Sequence, residues 1–281
     1  MSEFWDWWQH LPQNISPVIF EIGGFKVQYY GASYIAAFAL TYFLVLYRIK
    51  HERRFTFTKD QINDITTYAI LGLIIGARLG YVLFYNLAYY LHHPLEIFLP
   101  FSFSNGFTFT GISGMSYHGG LIGALLAVTW YVRKAKLNLW DVADLYFTVV
   151  PLGYTFGRLG NFMNGELYGR ITTAPIGMYF PQAAEKALRH PSQLYEAFFE
   201  GIFLFVILWR IRKIQKPRGA MLAFYVIGYG TVRFFIEFFR QPDAHIGFIF
   251  LSFSMGQILC ALMIAGGIGL YLYLRQTQQR V

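Results

Sequence analysis

DLYFTVVPLGYTFGRLGNF, residues 144–162, is a run of apolar and aromatic side chains with one basic residue, Arg158, near its end. MLAFYVIGYGTVRFFIEFF, residues 221–239, is a second such run, interrupted by Arg233 and Glu237. Each is close to the ~20 residues that cross the hydrocarbon core of a bilayer. A guanidinium keeps its proton in a protein. A charge near the centre of a membrane helix costs at least ~2.5–3.5 kcal/mol. Snorkelling at a helix end relieves an isolated arginine of that cost. Two arginines in two spans raise a different possibility, that both serve one place.

The rest of the chain is of the same kind. Its 281 residues are 56% hydrophobic and 20% aromatic, and only 14% are charged. That composition excludes an ordinary soluble domain. Five more apolar runs lie at about 28–47, 66–87, 119–132, 194–209 and 253–274. The expected fold is therefore an all-α polytopic membrane protein with about seven transmembrane helices. Pro151 and its neighbouring glycines predict a kink in the fourth span. The opening MSEFWDWWQH lacks the basic start of a cleaved leader. It reads as an interfacial segment, with Trp5, Trp7 and Trp8 at headgroup level.

Charge sets the orientation. The formal net charge is +8, but the cations cluster between apolar runs rather than on one nucleic-acid-binding face. Arg48 to Lys59, Arg133 to Lys136, Arg210 to Arg218 and the tail with Arg275 and Arg280 all fall on one side. That side is cytoplasmic by the positive-inside rule, which puts the N-terminus outside and the C-terminus inside. Two long connections then face outward, an arm-like segment at 92–117 and a head-like segment at 164–193. The whole reads as one integral membrane domain.

This topology carries most of the unusual polar residues to the outer half of the membrane. Tyr30, His118, Arg158, Asn161, Glu166, Tyr229, Arg233, Glu237 and Arg240 share that depth, and Arg78 lies near the middle of the second span. Tyr229, Arg233 and Glu237 are successive i, i+4 positions on one helix face, so Arg233 and Glu237 can pair. His118 opens a helix, where the dipole favours a neutral imidazole suited to act as a base. Arginines at this depth make a phosphate clamp. Cys260, the only cysteine, sits in an apolar run and excludes a disulfide framework. Acids and histidines do not occur at metal-ligand spacing, and no phosphate-loop or dinucleotide motif is present. No cofactor and no metal are expected.

Seven blocks occur in order: PVIFEIGGFKVQYYG (17–31), GARLGYVLFYN (76–86), MSYHGGLIG (115–123), GRLGNFMNGELYGR (157–170), RHPSQLYEA (189–197), IGYGTVRFFIEFFRQPD (227–243) and SMGQ (254–257). In these the chain resembles the prolipoprotein diacylglyceryl transferase family of bacteria over nearly its whole length. The resemblance implies an enzyme of the bacterial cytoplasmic (inner) membrane, working toward the outer leaflet. Its substrates would be phosphatidylglycerol and prolipoprotein signal peptides with a lipobox cysteine. It further implies Tyr30, His118, Arg158, Asn161, Glu166, Gly169, Tyr229, Arg233 and Glu237 as site residues; Arg78 and Arg240 are read beside them as support from their place in the spans. Within that set, His118, Arg158 and Arg233 would be catalytic. The competing reading, an anionic-lipid transporter or flippase, predicts internal repeats and access from both sides.

Overall fold

The computed structural model describes residues 3–23, 25–99, 101–102, 108–109, 114–241, 248–250 and 253–278. Much of the connection at 92–117 therefore lies outside the described residues. The helices are α1 (Glu3–His10), α2 (Tyr29–His51), α3 (Lys59–Tyr85), α4 (Leu87–His92), α5 (Tyr117–Lys134), α6 (Leu139–Phe147), α7 (Val150–Met163), α8 (Ser192–Tyr195), α9 (Leu204–Ile211), α10 (Ala220–Ile236) and α11 (Met255–Gln278). A π-helical stretch, Glu196–Phe203, joins α8 to α9. Short antiparallel hairpins pair β1 (Val18–Ile22) with β2 (Phe25–Gln28), β3 (Phe101–Ser102) with β4 (Thr108–Phe109), and β5 (Phe248–Phe250) with β6 (Phe253–Ser254).

The protein is mostly helical, and α2, α3 and α11 are long and apolar enough to cross a membrane. The 17-residue α10 is a shorter apolar helix. Apolar side chains point outward from these elements; Leu71, Ile74, Ile75, Leu79 and Leu83 of α3 are all exposed. Such a surface is stable against lipid and unstable against water. The predicted span at 144–162 is interrupted, because α6 stops at Phe147 and α7 restarts at Val150 with Pro151 in its first turn. Proline lacks the N–H that an unbroken helix would need there.

The chain forms two compact units. The smaller, Thr56–Leu139, is built on α3 and α5. Thr58 and Gln61 form a reciprocal cap that starts α3. Further along, Gly72, Gly76 and Gly80 face Gly119, Gly123 and Ala127 of α5, and the two backbones touch. A Cβ on Gly80 would lie 2.7 Å from Gly119 Cα, and one on Gly76 would meet the Gly119 carbonyl oxygen. Helices in lipid gain little from burying apolar surface, so small residues that permit such close contact supply the attraction.

The larger unit comprises Met1–Phe55 and Trp140–Val281. Here α2 packs on α7, α7 on the π-helical stretch, and α10 on α11. At one end, fully buried Arg48 pairs with Glu52 at 2.8 Å and donates to the carbonyls of Asp144 (2.8 Å) and Leu145 (2.6 Å). Arg212 reaches the same Glu52 at 3.1 Å and stacks on Trp209. Asp144 accepts from Arg54 and from the Met221 N–H that opens α10. Residues read from sequence as topogenic charges thus also tie α2, α6, α9 and α10 together. At the other end, Phe162, Met178 and Phe180 form a small core with Trp8, Leu11 and Tyr168. Trp8 Nε1 donates to the Ile176 carbonyl at 3.0 Å, and Tyr179 N–H donates to the Gln9 carbonyl at 2.8 Å. Of the N-terminal tryptophans, Trp8 is therefore committed to segment 164–193, while Trp7 remains exposed.

Candidate active site

The site grows from three elements of the larger unit, α7, the π-helical stretch and α10. Glu196 and Glu200 stand four residues apart on the π-helical stretch, and both side chains are fully buried. Insertions of this kind recur at functional sites, because they turn side chains out of the regular helical register. Arg158 of α7 places Nε 2.8 Å from Glu196 Oε2. The Nη1 of Arg233, on α10, lies 3.1 Å from the same oxygen and 3.5 Å from Glu200 Oε1, and Nη2 lies 3.3 Å from Glu237 Oε2. Arg240, just beyond α10, donates from Nη1 to Glu196 Oε1 at 3.2 Å. One carboxylate therefore gathers three guanidinium groups.

A second layer fixes Arg158. Its Nε donates to the Tyr154 hydroxyl at 2.6 Å, and that hydroxyl donates to Glu200 Oε2 at 2.6 Å. Its Nη1 donates to Asn161 Oδ1 at 3.2 Å, and Asn161 Nδ2 donates to Glu166 Oε1 at 2.8 Å. The Tyr154 ring also lies under the guanidinium, 4.7 Å from centroid to Cζ. Ser254 donates to Glu237 at 3.1 Å and holds it toward Arg233.

A buried ion retains a penalty of several kcal/mol unless its partners are well placed. Three arginines pair directly with three carboxylates here, which offsets that penalty, and Glu166 stands one amide further out. The balance is Coulombic more than directional. Arg233 Nη1, Glu200 Oε1 and Glu237 Oε2 are buried, and none makes an aligned hydrogen bond among the described residues. Arginine side chains that are 14–18% exposed stand over carboxylates that are fully covered. Such a cluster of arginines suits an anion, which it can meet with charge.

Residues 17–273 match the model of the prolipoprotein diacylglyceryl transferase family. The chain belongs to that family. It is 56% identical over 280 residues to the phosphatidylglycerol–prolipoprotein diacylglyceryl transferase of Chlorobaculum tepidum, covering 99% of this chain and 96% of the relative. The namesake from Treponema denticola is 45% identical, with coverage of 90% and 91%. That from Campylobacter lari is 44% identical, with coverage of 98% and 100%.

In this member of the diacylglyceryl transferase family, six residues singled out in the sequence meet in one network: Arg158, Asn161, Glu166, Arg233, Glu237 and Arg240. Tyr30 stands beside α7, its Cα 3.4 Å from where a Gly160 Cβ would be, with its hydroxyl 3.1 Å from that of Tyr34. Tyr229 meets Tyr154 edge-on, with ring centroids 6.0 Å apart. Gly169 serves packing. Its N–H donates to the His190 carbonyl at 2.8 Å, and an added Cβ would run into the Phe239 carbonyl oxygen. That seam, closed by Arg170 Nε donating to the Arg240 carbonyl at 2.8 Å, fixes the backbone at Arg240.

Arg78 and His118 belong to the smaller unit. Arg78 is buried and donates to the carbonyls of Glu96 (2.5 Å), Ile97 (2.7 Å) and Gly114 (3.3 Å), so it pins both ends of the connection at 92–117. His118 is exposed at the second position of α5, behind the Ser116 cap. Glu196, Glu200 and Tyr154 were not selected from the sequence. Their signal was present as two acids four apart in LYEAFFEGIF, inside an apolar run, and a tyrosine one turn before Arg158.

Proposed function

We propose that this chain transfers diacylglycerol from phosphatidylglycerol to the lipobox cysteine of prolipoprotein signal peptides. The reading places it in the bacterial cytoplasmic membrane, crossing about seven times, with the N-terminus outside, the C-terminus cytoplasmic and the site toward the outer leaflet. The thiol sulfur attacks the glyceryl CH2 that bears the phosphate ester. A carbon–sulfur bond forms, the carbon–oxygen bond breaks, and glycerol phosphate leaves with the bonding electron pair. His118 takes the thiol proton. Arg158 and Arg233 hold the phosphate and stabilise the charge that grows on its oxygen. Tyr30, Asn161 and Tyr229 position the headgroup, Glu166 fixes the turn after α7, and Glu237 orients Arg233. Phosphatidylglycerol is a substrate here, and the reaction as written uses no cofactor.

One observation carries this reading: Arg158, Arg233 and Arg240, each with 14–18% of its side chain exposed, converge on a single buried carboxylate. The names of the relatives supply the substrate pair. Purified protein incubated with phosphatidylglycerol and a lipobox peptide is expected to yield a thioether-linked diacylglyceryl peptide. Lipid movement across vesicles without that product would favour the transporter reading instead. His118→Gln is expected to lower transfer at least tenfold, and near-normal transfer would remove His118 from the role of base.

A further inference from the structure

The three arginines around Glu196 and Glu200 are already matched by carboxylates before any lipid arrives. Arg158, Arg233 and Arg240 face Glu196, Glu200 and Glu237. On the reading above, a phosphodiester headgroup adds a further negative charge to this partly desolvated cluster. An uncompensated ion in such surroundings costs several kcal/mol. Two carboxylates one turn apart also repel, and such pairs commonly share a proton.

The three carboxylates are not equally held. Glu196 has three arginine partners, and Glu237 has Arg233 and the Ser254 hydroxyl. Glu200 has one ion-pair partner among the described residues, Arg233 at 3.5 Å, and the Tyr154 hydroxyl. Its Oε1, like Glu237 Oε2, is buried without an aligned hydrogen bond among the described residues. The groups facing it are Arg233 from α10, Tyr154 and Arg158 from α7, Glu196 from its own turn and, at longer range, Cys260 from α11. When a phosphate draws Arg233 toward itself, Glu200 and Glu237 both lose their cation, but Glu200 is the fully covered one and stands one turn from the Glu196 carboxylate.

We propose that an anionic phospholipid enters this site together with one proton, and that Glu200 receives it. The proton offsets the new charge and frees Arg233 for the phosphate. Tyr154 then keeps Arg158 in place, because its hydroxyl bonds to a neutral or an ionised carboxyl alike.

The test is a binding measurement without peptide, so that no thiol or base titrates as part of the chemistry. Phosphatidylglycerol is titrated into detergent-solubilised protein in weakly buffered solution with a pH indicator, between pH 7 and 9. Wild-type protein should take up close to one proton per lipid bound at the upper end of that range. Its Kd should rise with pH, approaching tenfold per unit, the slope of a single linked proton. Glu200→Gln should bind with a flat pH profile and no uptake. Lipid binding to wild-type protein without proton uptake overturns the proposal on its own, whether or not the variant folds. A pH slope retained by Glu200→Gln overturns it too. If Arg233→Lys instead leaves lipid affinity unchanged, the phosphate-clamp reading itself fails, which is a separate outcome.

Discussion

At the scale of single residues, the site depends on side chains that act through fixed partners. Arg158 uses Nε and Nη1 in different directions, toward Tyr154 and toward Asn161. A lysine keeps the charge but offers one compact ammonium, so it cannot hold both partners in the same geometry. Arg158→Lys is expected to lower kcat/KM for diacylglyceryl transfer by at least tenfold while the protein still folds, as read by its thermal unfolding. Glu196→Gln is expected to do more, because it leaves three arginines around a neutral group. Removing one partner of a buried pair costs about 3–5 kcal/mol, so this variant should lose both activity and thermal stability. Wild-type stability in Glu196→Gln would show that the arginines do not depend on that carboxylate. The sequence made the arginines conspicuous because a cation inside an apolar run has few uses. The spacing of four puts Glu196 and Glu200 on one helix face, but it does not say which element that face meets, so their shared direction toward Arg158 and Arg233 was not legible.

At the scale of elements, α3 and α5 show what the apolar pattern conceals. Both helices lie where hydropathy marks apolar runs, yet their mutual contact rests on the side chains they lack. Gly76→Leu should force the helices apart, since nothing at Gly119 can yield to a Cβ. Overpacking of this kind costs about 1–3 kcal/mol, and more where the obstacle is backbone. The expected result is a lower unfolding temperature in detergent; an unchanged one would mean that the glycine stripe does not hold α3 to α5. The junction of α2 with α9 makes a pH-dependent prediction. Burial pushes the Glu52 carboxyl up, but the adjoining Arg48 and Arg212 outweigh it and hold the group below its ordinary value of 4.5. A carboxylate lowered by folding lends stability at pH above that value, and the contribution is lost as pH falls through the folded pKa. Thermal stability should therefore drop on acidification below about pH 4.5, and Glu52→Gln should flatten that part of the profile. An unchanged acid limb in Glu52→Gln would rule the junction out as its source.

At the scale of the whole molecule, the distribution of Lys and Arg predicts the orientation. Single cysteines placed in a Cys260→Ala background at position 213 and at position 6 should differ in reaction with a membrane-impermeant thiol reagent on intact cells. Position 6 should label and position 213 should not; the reverse pattern would invert the proposed topology. Hydropathy marked out α2, α3 and α11, the three described helices long and apolar enough to cross a membrane, because a bilayer imposes length and polarity directly. It did not reveal that α1 would be claimed by segment 164–193, since a contact across 168 residues leaves no local periodicity. That contact has a consequence for biogenesis. When Trp8 leaves the ribosome, the carbonyl of Ile176 that it will grip has yet to be translated. The opening helix must wait while the residues between are made and put in place. A pause or misinsertion anywhere in that interval would leave its aromatic face without a berth, open to quality-control proteases.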